Sequence, residues 1–353
     1  MGKKTGGRKV ASGGDVCVYD PAVSCEGEDQ RTPDSVSRII QAGTGDHDIE
    51  IEGIISARFP ELVRGGYVTV HTKSCTPDFK DVDFDPPAQQ WNGRYACTAK
   101  INPDRGVDKN YVNLLTPKRE GNVGLLARID YTALKDAFVG AIALVPDDGP
   151  WVIHGDLHLL NVLVYNANDG IRHTSLADWG RSFVVENPND LDSIKAGLLT
   201  FLHRWNYSQK TNYAEASTEF FKKAKEGEIR WHNVAPKYLW YAIYTAIRDN
   251  DLETLRSVIR GWNVLALAVA IDQRNDGNFS SICLKNTNQA TLLNTVNELF
   301  NLNITVPRHG VVEAPVEAPA PAVSGGRRHR SKSRRKTRRT SKKRSTRKIV
   351  FHY

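Results

Sequence analysis

The sequence predicts an α+β chain in which a small sheet-rich region precedes a larger helical one, with a charged arm after both. Three observations carry that expectation. Residues from about Lys9 to Leu115 fall into short strand-like runs broken by glycine turns; from Leu125 the apolar spacing becomes helical; and residues 327–348 hold 14 Lys and Arg, with no acid from 327 to the end. At 353 residues, 40% hydrophobic and 25% charged, the chain can bury a core of ordinary size, which excludes a small disulfide scaffold, a collagen and a wholly disordered chain. The formal charge of +8 belongs to the arm. Without its 14 cations, 34 Lys and Arg stand against 40 Asp and Glu, leaving a body near −6.

In chain order, VASGGDVCVYD reads as strand, glycine turn, strand, and Gly66–Thr72, Arg94–Ile101 and Tyr111–Leu115 as further strands. A helix is expected over Asp46–Phe59, with Asp46 or Asp48 as its cap and Ile49, Ile54, Ile55 and Phe59 as its apolar set. Leu126, Ile129, Leu134, Phe138 and Ile142 share one helix face, which Pro146 ends. Two strand-like runs follow, WVIHGDLHLLNVLVY and RHTSLADWG. Helices are then expected over Asp190–Trp205, Tyr213–Glu226, Pro236–Arg248, Leu252–Ile271 and Ala290–Phe300. Trp205, Trp231, Trp240, Tyr241, Tyr244 and Trp262 recur there at helical spacing and, with Phe220 and Phe221, read as core. Residues 307–326 are rich in Pro and Ala and read as a linker. The expected units are thus 8–115, 116–306, the linker 307–326 and a disordered basic tail, 327–353.

Cysteines stand at 17, 25, 75, 97 and 283, without a C-x-x-C pair or histidines at zinc spacing, and read as thiols of a reducing compartment. The start, MGKKTGGRKV, has no apolar core for a secretion signal, and Gly6 sits where a myristoylation motif wants Ser or Thr. The longest apolar run, Val264–Ile271, falls well short of the ~20 residues that span a bilayer, so neither secretion nor a membrane span is expected.

One segment carries chemistry: His154-Gly155-Asp156-Leu157-His158-Leu159-Leu160-Asn161, followed by Leu176-Ala177-Asp178-Trp179-Gly180. Phosphoryl transfer needs a carboxylate beside the attacking hydroxyl, hard oxygen ligands for Mg²⁺, and positioning. Asp156 suits the first role and Asn161 and Asp178 the second, provided the strands Val162–Tyr165 and Thr174–Ala177 form a hairpin that returns Asp178 beside Asn161. His154 is counted with the catalytic loop as the group that braces its backbone.

The pair H-x-D-x-x-x-x-N and D-W-G resembles the catalytic and metal-binding loops of the protein-kinase-like fold, which includes Ser/Thr protein kinases and the aminoglycoside and choline phosphotransferases. The opening ASGGDVCVYDPAVSCEGEDQRTPDSVSRII is similar to the start of kinase-like proteins of large DNA viruses, and the likeness covers roughly residues 8 to 205. It implies a two-lobed protein-kinase-like fold, ATP and Mg²⁺ as cofactors, and a protein Ser/Thr or a small molecule as phosphate acceptor. It also implies an intracellular site, host cytoplasm or nucleus, with virion association as an option.

Carried over residue by residue, the glycine loop falls on Ala11, Gly13, Val16 and Val18, with only Gly13 and Gly14 left as glycines. The phosphate-gripping lysine falls on Arg38 in V-S-x-I-I, with Lys100 in ACTAK as its rival; its partner acid is Glu50 or Glu52. His158 stands where typical protein kinases have Lys, and no A-P-E-like segment follows Asp178. The eroded glycine loop and Arg38 open a second reading, a catalytically impaired pseudokinase used as a binding module.

The arm RRHRSKSRRKTRRTSKKRSTRK has no apolar residue, so polyanion binding through phosphates without base readout is expected, nucleic acid first. Nuclear import and an anionic membrane surface are its other readings. Ser331, Ser333, Thr337, Thr340, Ser341, Ser345 and Thr346 interleave its cations, so phosphorylation would cancel much of the charge.

Overall fold

The residues flanking Gly13 and Gly14 do form two antiparallel strands. In the computed structural model β1 (Gly7–Ser12) pairs with β2 (Val16–Asp20), with a register shift between Lys9 and Ala11. The structure describes residues 7–12, 16–28, 32, 34–43, 45–83, 111–125, 134–166, 171–229, 237–271 and 288–307. β3 (Ser35–Gln41), β4 (Lys73–Cys75), β5 (Val82–Asp83) and β6 (Tyr111–Pro117) complete a six-stranded sheet in the order β4-β6-β3-β2-β1-β5. Only the β1–β5 pair is parallel.

The strand expected over Gly66–Thr72 is instead an extended connection, and the strand itself starts at Lys73. The reason lies in its backbone partners. Gly66 adopts φ 73°, the Thr69 N–H donates to the Leu176 carbonyl at 2.7 Å, and the Thr69 carbonyl accepts from the Trp179 indole at 2.9 Å, so this stretch ties the two regions together. The expected strand Arg94–Ile101, with Lys100, lies outside the described residues.

Helix α1 (Asp46–Arg58) forms where the apolar spacing placed it, and α2 (Pro60–Arg64) follows at once. Neither expected acid caps α1: Gly45 is the N-cap, the Asp46 carboxylate accepts from the Gly43 N–H, and Asp48 turns inward. The reading of the cysteines as thiols is also corrected. Bonding of Glu26 N–H to the Thr76 carbonyl, with the Cys25–Pro77 bridge, brings Cys25 and Cys75 to a Cα separation of 5.8 Å, and they form a disulfide; Cys17 is disulfide-bonded too.

The helical region starts from α3 (Lys135–Ala143), buried along almost its whole length because its sequence is apolar all round. Short strands follow: β7 (Gly121–Asn122), before it in the chain, pairs with β9 (Val162–Asn166), which also pairs with β10 (Arg172–Leu176), while β8 (Trp151–Ile153) pairs with β11 (Phe183–Val185). Then come α4 (Leu191–Arg204), α5 (Tyr213–Lys225), α6 (Lys237–Arg248), α7 (Leu252–Arg260), α8 (Trp262–Ile271) and α9 (Gln289–Phe300).

The single helix expected over Leu252–Ile271 is two, bent by 45° at Gly261. No single helix among the described residues is long and apolar enough to cross a membrane. One apolar core spans both regions, running from Ile51 and Ile55 of α1 through Phe138, Trp179 and Phe201 to Trp262 and Val296. Residues 8–115 and 116–306, expected as the two lobes of one domain, both fall in one compact unit, Met1–His309; the second unit, Gly310–Tyr353, with the basic arm, lies outside the described residues.

Candidate active site

β8 ends at Ile153, and the chain turns at once through His154-Gly155-Asp156 because Gly155 takes φ 73°, where a Cβ would run into the Arg181 carbonyl. After the loop, β9 and β10 form the expected hairpin with Val162 opposite Leu176. Its open end is closed by the Ala177 N–H on the Asn161 carbonyl at 3.0 Å, so Asp178 does return beside Asn161. Asn161 is buried, and its Nδ2 donates to the Asp156 carbonyl at 2.8 Å, so its Oδ1 is the atom left for another partner. Asp178 is exposed and holds φ 69°, a left-handed conformation that Asp tolerates better than most residues.

His154 is fully buried, its ring tilted by 43° against Trp179 at 4.8 Å between centroids, and its Nε2–H donates to the Ala177 carbonyl at 2.9 Å. Burial drives its pKa down to about 4, so the ring is neutral and belongs to the scaffold of the loop rather than to proton transfer. Asn263, alone in the apolar start of α8, accepts from the His154 N–H at 2.8 Å and donates to the Val152 carbonyl at 3.0 Å. Ser182 continues the brace: its hydroxyl donates to the His154 carbonyl, and its own carbonyl accepts from His47 of α1 at 2.7 Å. One chain of hydrogen bonds thus links α8, the loop and α1.

Asp156 sits in this frame with one carboxylate oxygen buried and without a hydrogen-bond donor among the described residues; His158 Nε2 is 3.8 Å from it. Burial first and the charge of Asp178 second push its pKa up to about 7, against the opposing charge of Arg181. A carboxylate that is basic near neutral pH and holds a free lone pair is equipped to take a proton.

Across from the loop, Arg38 of β3 stands opposite Val18 of β2 in register. Its guanidinium forks between Glu52 (2.5 Å) and Asp48 (3.2 Å), both on α1. Glu52 is fully buried and also accepts from the backbone N–H and Nδ1 of His71, each at 2.6 Å. Burial alone would raise the Glu52 pKa, but Arg38 and His71 outweigh it and hold the carboxyl low. Asp48 goes the other way: burial, with Asp178 and Glu52 nearby, pushes it up to about 6 despite Arg38. A Cβ on Gly180 would stand 2.7 Å from the Asp48 carboxylate, which puts this acid against the D-W-G turn.

Of Glu50 and Glu52, it is Glu52 that pairs with Arg38. Glu50 lies on the outer face of α1, 67% exposed, 3.6 Å from His47, because the helical period turns it away from β3. Gly13 and Gly14 lie outside the described residues, as does Lys100. Sequence reasoning missed His47, Asp48, His71, Ser182 and Asn263. Two left a readable signal: Asp48 stands one helical turn before Glu52, and Asn263 is a lone amide in an apolar helix.

Among the described residues no three His, Cys, Asp or Glu side chains converge into a ready metal cage. Asn161 and Asp178 instead offer two hard oxygen donors at an open edge, the pattern suited to a magnesium that arrives with phosphate oxygens and keeps waters. No family model matches the chain, and no curated protein matches it.

Proposed function

We propose that the cleft is the active site of an ATP- and Mg²⁺-dependent phosphotransferase of protein-kinase-like architecture, acting on Ser or Thr hydroxyls of a protein. The observation that carries it is the closure of the loop on itself, with Asn161 Nδ2 on the Asp156 carbonyl and Ala177 N–H on the Asn161 carbonyl. That closure ties the backbones of Asp156, Asn161 and Ala177 together, and Asp178 acts on the Asp156 carboxylate, which supports the reading. Asp156 takes the proton of the attacking hydroxyl; Asn161 Oδ1 and Asp178 would hold magnesium, and Arg38, fixed by Glu52, would face the phosphates. Magnesium, when bound, would neutralise charge on the transferring phosphoryl group.

Thermal denaturation with ATP, with and without Mg²⁺, tests the reading, since a ligand that binds only the folded state raises its melting temperature. A shift that needs Mg²⁺ and disappears in Asp178→Asn supports it; the absence of any metal-dependent shift removes it. The rival, a catalytically silent binding module, draws on Arg38, whose fork is already engaged by two acids. It predicts binding without transfer of labelled phosphate.

The arm adds a tether: residues 327–348 bind nucleic acid non-specifically through phosphates. Truncation after Gly326 is expected to abolish DNA binding and its salt dependence. Equal binding by the truncated chain would end that assignment.

A further inference from the structure

Two arginines next to the cleft have no role in the scheme above. Arg181 follows the D-W-G turn directly, and Arg204 ends α4. Among the described residues neither guanidinium donates to a carboxylate, although Asp48, Asp156 and Glu50 are near enough to be felt electrostatically. They also feel each other: burial first, and Arg181 among the neighbouring charges, lower the Arg204 pKa. Glu50 and Asp48 offset part of this, but no carboxylate among the described residues is hydrogen-bonded to either guanidinium, so both keep donors for a further anion.

Their surroundings are built rather than loose. The Arg181 guanidinium lies 5.0 Å over the Trp205 ring, and Trp205 stacks on Tyr207 at 5.9 Å with ring planes 9° apart. The Trp205 Nε1–H is buried without an acceptor among the described residues. The Tyr207 hydroxyl senses both Arg181 and Asp156, so this aromatic and cationic wall borders the carboxylate that receives the proton. Helix-dipole stabilisation explains a cation at the end of α4, but it does not explain a second one brought beside it from another loop.

We propose that Arg181 and Arg204 form an anion-binding subsite for the phosphate acceptor, so that the hydroxyl presented to Asp156 belongs to a Ser or Thr flanked by acidic residues. This rests on the phosphotransferase reading for the word acceptor, while the anion site itself stands on the arginine pair. The Ser and Thr of the basic arm carry the opposite flanking charge, and are poor acceptors for this subsite.

Trp205 supplies a local reporter that the arm, which has no tryptophan, does not disturb. The full-length chain is titrated with a Ser peptide flanked by Glu and with its Gln counterpart, following tryptophan emission; Trp205→Phe identifies the Trp205 component of the signal. The acidic peptide is expected to give a saturable change that inorganic phosphate competes away, that Arg181→Gln and Arg204→Gln each weaken, and that the double variant weakens by ~10-fold or more. Equal affinity for the Gln peptide, or unchanged affinity in the double variant, overturns the proposal. Phosphate binding without acidic-peptide binding overturns the peptide assignment and points to a small phosphorylated acceptor. If the variants lower the melting temperature with the peptide affinity intact, the arginines are structural and the proposal fails. The Mg²⁺-ATP shift is read on the same samples: its absence, with peptide binding retained, defeats the phosphotransferase reading but not the anion subsite.

Discussion

The two sides of the candidate site are built differently. On the loop side, Asp156, Asn161 and Asp178 are placed by backbone hydrogen bonds and neutral braces, among them His154, Asn263 and Ser182. On the sheet side, Arg38 is placed by charge: Glu52 and Asp48 hold it, and His71 holds Glu52. A wall of neutral hydrogen bonds keeps its geometry while the charge in front of it changes, whereas a wall of ion pairs shares its charge with whatever binds. On the proposed phosphotransferase reading, the loop side would hold the reacting groups still and the sheet side would respond to phosphate.

The largest effect should come from the loop side. Asp156→Ala is expected to lower phosphate transfer by ~10²–10⁴-fold with the Mg²⁺-ATP thermal shift retained, because general base catalysis contributes about that much. Single-turnover transfer of labelled phosphate reads it; an undiminished rate would remove Asp156 as the base.

Next is Glu52→Gln, which leaves Arg38 buried with a weakened partner. Breaking a buried pair from one side costs roughly 3–5 kcal/mol, so urea unfolding should show a loss of that order, and Asp48→Asn, with Glu52 intact, a smaller one. If the two variants cost the same, the sheet side is not organised around Glu52.

Asn263→Leu removes the acceptor of the His154 N–H and the donor to Val152, and should cost about 1–3 kcal/mol. Hydrogen exchange at His154 should accelerate more than exchange in β3. Uniform acceleration would show that the loop brace is not local.

The last effect is a matter of sign. The Asp156 pKa is raised in the folded state, so its contribution to stability is present below the ordinary carboxylate range and is lost as pH rises through about 7. Asp156→Asn should therefore raise the melting temperature above pH 7, by a gain that fades as pH falls toward 4. A gain independent of pH would mean that ionisation of Asp156 carries no cost in the fold.

Much of this protein was legible in order of chain. The helix over Asp46–Arg58, the paired strands around the first glycine turn, the β9–β10 hairpin and the loop between His154 and Asn161 follow from local patterns, since periodicity and glycine placement act over a few residues. The division into a sheet-rich and a helical region follows from the change in apolar period near residue 125. The separation of an acidic body from a basic arm follows from the charge pattern alone.

Tertiary structure decided what required distant residues to meet. Glu52 rather than Glu50 reaches Arg38 because the sheet fixes which face of α1 turns inward, and two acids of like chemistry cannot be told apart until that rotation is set. The strand expected over Gly66–Thr72 is reduced to a single bridge between Val68 and Leu176, and its Thr69 carbonyl accepts from Trp179, more than a hundred residues later. Cys25 and Cys75 became partners through cross-strand bonding, and Arg181 and Arg204 became neighbours by folding. Local sequence sets the torsional and hydrophobic preferences of each segment; which charges face each other depends on packing that no short stretch contains.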